Sequence, residues 1–176
     1  LKLAPGKPAT QGTLILNRNS VFGWNAGILE NVTVNVTRTG TTVALANVPA
    51  LLAGASRTMH GTAFSVAGIL SWGGGDVSVT DPAANSSIDV GSTGEFKIGV
   101  PGEDWGGGTW GVVGTDPTSH FNVRNQGKVT LNASGTPQLK ADYTNQGLTE
   151  LQAGTLKITG TASSPTGSSG CSTTRP

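Results

Sequence analysis

Asn125-Gln126-Gly127, followed by Val129 and Leu131, returns 20 residues later as Asn145-Gln146-Gly147, followed by Thr149 and Leu151. A second echo lies at 60 residues: Gly94-Glu95-Phe96-Lys97-Ile98 against Gly154-Thr155-Leu156-Lys157-Ile158. Gly12-Thr13-Leu14-Ile15-Leu16 has the same form. A fixed period of ~20 residues marks a repeat architecture, a coiled stack in which each short unit covers its neighbour. Such a unit has room for two or three short strands and the bends between them.

Composition agrees. The chain carries 27 Gly, 9 Pro and only 12% charged residues. Helices draw on Ala, Leu, Glu, Lys and Arg, whereas Thr and Val suit strands and Gly, Asn and Asp suit turns. The hydrophobic fraction is 35%. An ordinary globular domain has ~45–50% apolar residues, a share that also counts Gly. A thin core fits a stack whose units each bury a few inward side chains. Alternating Val/Ile/Leu runs separate the chain from disordered sequences of similar polarity.

Eleven basic and ten acidic residues give a net charge of +1. They are dispersed, so the basic patch of a nucleic-acid binder is missing. No apolar run approaches the ~20 residues of a membrane-crossing helix, so no membrane insertion is expected. The chain starts at Leu1 rather than Met and reads as a processed or excised piece. Cys171 is the one cysteine. It cannot form a disulfide within the chain, which leaves an inert thiol or a bridge between copies. The low-charge Thr/Asn/Gly-rich composition suggests an extracellular or cell-surface location.

Along the chain, residues 1–11 form an irregular Pro-containing segment, 12–160 the repeat domain, and 161–176 a Ser/Thr/Gly/Pro-rich linker or tail. Val32-Thr33-Val34-Asn35-Val36-Thr37 alternates apolar and polar residues at the period of a half-buried strand. Val48–Ala53 is the least strand-like stretch and reads as a helical turn or an end cover. From Phe64 onward, short apolar runs bounded by Gly, Asn, Asp or Pro predict strands at close intervals. A sandwich also has many short strands, but its strands have no reason to repeat in sequence.

The rungs Asn125-Gln126-Gly127-Lys128-Val129-Thr130-Leu131 and Asn145-Gln146-Gly147-Leu148-Thr149-Glu150-Leu151-Gln152-Ala153-Gly154-Thr155-Leu156 resemble those of large secreted bacterial β-helix proteins. Those are adhesins, autotransporter-like passengers and other giant surface proteins. Trp72-Gly73-Gly74-Gly75 and Trp105-Gly106-Gly107-Gly108-Thr109 resemble corners of the same repeats. The likeness covers about Phe64–Gly160. It implies an all-β, right-handed parallel β-helix (β-solenoid) with ~20-residue coils, about seven to nine of them at that length. It also implies a structural or adhesive role with no cofactor.

Few residues offer chemistry. Asn125, Gly127, Asn145 and Gly147 are expected at corners, where Asn and Gly tolerate left-handed backbone and stacked amides bond to each other. Trp72, Trp105 and Trp110 either fill corners and core or stack on a sugar ring. Glu103 and Asp104, beside Trp105, are the best candidates for a glycosidase carboxylate pair or a Ca²⁺ ligand. Adjacent strand residues point to opposite faces, however, and the Asp-Asp, Gly-His-Gly and Arg-x-Lys motifs of polysaccharide-cleaving β-helices are missing. His60 and His120 lack metal-ligand spacing, and no metal site is expected. The expected function is therefore a non-enzymatic extracellular segment that self-associates into a stalk, surface layer or filament. The alternative is a tailspike-like glycan-binding or glycan-cleaving β-helix using Trp72, Trp105, Trp110, Glu103 and Asp104.

Overall fold

The computed structural model describes residues 12–17, 20–37, 42–45, 57–80, 86–99, 108–112, 121–160 and 162–163. These contain strands and no helix. The first sheet has seven strands: β1 (Gly12–Leu16), β4 (Val32–Val36), β7 (Ala63–Val66), β10 (Ser86–Val90), β13 (Phe121–Asn125), β16 (Asp142–Asn145) and β19 (Ala162–Ser163). The second has six: β2 (Val21–Gly23), β5 (Thr42–Leu45), β8 (Ile69–Trp72), β11 (Glu95–Ile98), β14 (Lys128–Asn132) and β17 (Leu148–Ala153). The third also has six: β3 (Gly27–Glu30), β6 (Arg57–His60), β9 (Val77–Val79), β12 (Thr109–Val112), β15 (Gln138–Lys140) and β18 (Lys157–Ile158).

Each described strand from β1 to β16 pairs, in parallel, with the strand three places later in the chain. The chain thus visits the three sheets in rotation, and three consecutive strands make one circuit. The repeat register expected from sequence is present: Val129 lies opposite Thr149 and Leu131 opposite Leu151, while Asn125 lies opposite Asn145. Residues 12–60, outside the recognisable repeat, supply β1 to β6 of the same three sheets.

The 20-residue spacing is local rather than general. Registered partners are 20 residues apart for Gly12/Val32, 30 for Thr33/Ala63, 24 for Ala63/Ser87, 35 for Ser87/Asn122, 20 for Asn122/Asp142 and 19 for Tyr143/Ala162. The surplus falls between β5 and β6, β9 and β10, β11 and β12, and β12 and β13. Six circuits therefore use the length that equal 20-residue units would have divided into seven or more. The 60-residue echo is not a structural repeat either. Gly12–Leu16 forms β1, Gly94–Ile98 contains β11 and Gly154–Ile158 contains β18, one in each sheet. Those segments share a strand-forming pattern and not a register. The last strand, β19, lies inside the stretch read as a tail, and Val48–Ala53 lies outside the described residues.

Alternation along each strand sends every second side chain inward. Val34, Phe64, Ile88, Val123 and Tyr143 stack from the first sheet, Leu70, Phe96 and Val129 from the second, and Val77, Trp110 and Leu139 from the third. All belong to one continuous apolar core. Phe64 is fully buried between Trp24 and Trp110, at ring-centroid distances of 6.2 and 6.1 Å. Phe64→Ala is expected to cost about 3–5 kcal/mol, because the cavity would lie within the column. Outward Ser65→Ala should change stability by no more than about 0.5 kcal/mol. Urea unfolding followed by tryptophan fluorescence measures both.

Candidate functional site

The corner after β8 shows what the first Trp-Gly-Gly-Gly motif does. The Trp72 indole is fully buried, and its Nε1 donates to the carbonyls of Gly74 at 3.1 Å and Gly75 at 2.9 Å. Arg57, inward on neighbouring β6 and 2% exposed, donates from Nη2 to the same Gly74 carbonyl. Gly75 has φ of 74°, and a Cβ there would run into the Arg57 guanidinium. The left-handed backbone is what favours glycine there, and a Cβ would in addition displace the end of the Arg57 side chain. Burial lowers the pKa of Arg57, and nearby Asp76 partly offsets the effect. Asp76 Oδ1 also accepts the backbone N–H of Thr109 at 2.8 Å, tying this corner to the next circuit.

The two Trp-Gly-Gly-Gly motifs are 33 residues apart, the same interval that separates registered Val77 and Trp110. Gly108 of the second motif accordingly lies against Gly75 of the first, where a Cβ would come within 2.7 Å of the Gly75 carbonyl oxygen. Trp110 is the hub of the interior. Its ring meets Trp72 at 5.6 Å and Phe96 at 5.6 Å, both edge to face, and stacks on Phe121 at 6.2 Å. Its Nε1 donates to Met59 Sδ at 3.1 Å. Trp72 and Trp110 are each 0% exposed. Neither presents a ring face to solvent: of the two roles open to them in the sequence, both take that of filling corner and core. Glu103, Asp104 and Trp105 lie outside the described residues.

The corners between the first and second sheets carry the amide motif. Asn125 is fully buried, in line with Val66 and Val90 of earlier circuits. Its Nδ2 donates to Asn145 Oδ1 at 2.8 Å and to the Leu148 carbonyl at 2.9 Å. Beside it, Gln126 Nε2 donates to Gln146 Oε1 at 3.2 Å. The backbone bonds continue around the bend: Gln126 N to Val90 O, Gln146 N to Asn125 O, Lys128 N to Gly94 O and Leu148 N to Gly127 O. The glycines have a different reason from the one expected. Neither Gly127 nor Gly147 has positive φ. A Cβ at Gly127 would overlap the carbonyls of Gly91 and Gly94, and one at Gly147 that of Gly127. Close approach of successive corners excludes side chains there. Tyr143 closes the group, with its hydroxyl 2.7 Å from Thr149 Oγ1. Burial raises its pKa, and the bond to Thr149 opposes the rise.

On the outer face of the second sheet, charges alternate between strands. Glu95 meets Lys97 at 3.5 Å and Lys128 at 3.9 Å, and Lys128 meets Glu150 at 2.8 Å. Among the described residues no group of three or more His, Cys, Asp or Glu side chains is placed to hold a metal ion. Sequence reasoning missed Arg57. Its inward position follows from its register with buried Val77, which is known only from the structure.

Comparison with family models, with curated proteins and with solved structures returns no match.

Two measurements follow from these contacts. Gly127→Ala is expected to destabilise the fold by about 1–3 kcal/mol, since rigid backbone of the preceding corner must move; urea unfolding reads it. The bond to Lys128 lowers the Glu150 pKa, and the bond to Glu150 raises that of Lys128. Their attraction is complete between the ordinary carboxylate and lysine ranges. It fades as pH falls through the lowered Glu150 value or rises through the raised Lys128 value. In Lys128→Ala, the NMR titration midpoint of Glu150 should move up toward the ordinary carboxylate range.

Proposed function

We propose that this chain is a right-handed parallel β-helix serving as a non-enzymatic structural or adhesive segment outside the cell, and that it associates with copies of itself. The observation that carries the reading is the use made of polar side chains that reach the interior or the corners. Asn125, Asp76 and Arg57 each bond to a neighbouring circuit. Thr62 does so too, donating from Oγ1 to the Leu29 carbonyl at 2.8 Å. Groups that an enzyme would aim at a substrate are here spent on holding rungs together. Three parallel sheets visited in rotation support the β-helical form. Its right hand follows from the strong preference of parallel crossover connections for that sense.

The likeness of the Asn-Gln-Gly rungs to those of secreted bacterial surface proteins supports the location and the adhesive role. A stack of this kind is stiff along its axis, because each added strand advances it by about 4.8 Å and locks to the one before. That is useful for holding something away from a surface. With Trp72 and Trp110 inside the core, the glycan-cleaving alternative rests on Glu103, Asp104 and Trp105 alone. Incubation of the chain with a panel of polysaccharides should release no reducing ends. Release that disappears in Glu103→Gln or Asp104→Asn would replace the structural reading with the enzymatic one.

A further inference from the structure

We draw no further inference here: the strongest candidate, the surface patch of exposed apolar side chains that Ile15 on β1, Val21 on β2 and Ile28 on β3 place on the outside of the first circuit, one on each sheet, carries nothing, because nothing in the structure shows what covers it.

Discussion

Every described strand depends for its backbone hydrogen bonds on a strand one circuit away. In a parallel sheet no hairpin can satisfy a strand from its sequence neighbour, so no circuit is self-sufficient. That single constraint explains why the interior is organised in columns. A side chain that fits its position also has to fit the positions above and below it. Val34, Phe64 and Ile88 in one column, or Leu70, Phe96 and Val129 in another, are solutions to that nearest-neighbour problem.

The same constraint governs the polar residues. Asn125 enters a column otherwise held by Val66 and Val90, and its buried Nδ2 is satisfied by Asn145 Oδ1 and the Leu148 carbonyl. An unpaired buried amide would cost on the order of 1–3 kcal/mol. Arg57 is handled in the same way, by a carbonyl of the glycine corner. The glycine content of the chain thus has two separate origins. Gly75 serves a left-handed bend and a buried cation, while Gly127 and Gly147 make room for the adjacent corner.

The periodic pattern made most strands from Phe64 onward and the Asn125/Asn145 register legible in the sequence, though not β16 (Asp142–Asn145) or β19 (Ala162–Ser163). Strands β2, β3 and β6 were not, because Val21–Gly23, Gly27–Glu30 and Arg57–His60 mix Gly or charged residues into short runs whose partners lie at irregular spacing. A period can be read only where consecutive circuits have equal length, which holds for Asn122/Asp142 and fails for Ser87/Asn122. The indoles of Trp72 and Trp110 were ambiguous for a related reason. Flanking glycines look alike whether they expose a ring or let it sink inward, and the acceptors distinguish the two: the Gly74 and Gly75 carbonyls for Trp72 and the Met59 sulfur for Trp110.

The uneven circuit lengths also amount to a map of where this architecture accepts foreign sequence. Surplus residues enter between the second and third sheets and between the third and first. The bend from first to second sheet stays short, down to Gln126-Gly127 and Gln146-Gly147, because its glycines and amides are packed against those of the adjacent circuit. A peptide grafted between β9 and β10, or between β5 and β6, would be carried at a defined height along the stack without entering the columns. Grafted at the amide corner, it would separate two circuits. The molecule is in this sense a graduated rail with two sides open to decoration and one side closed.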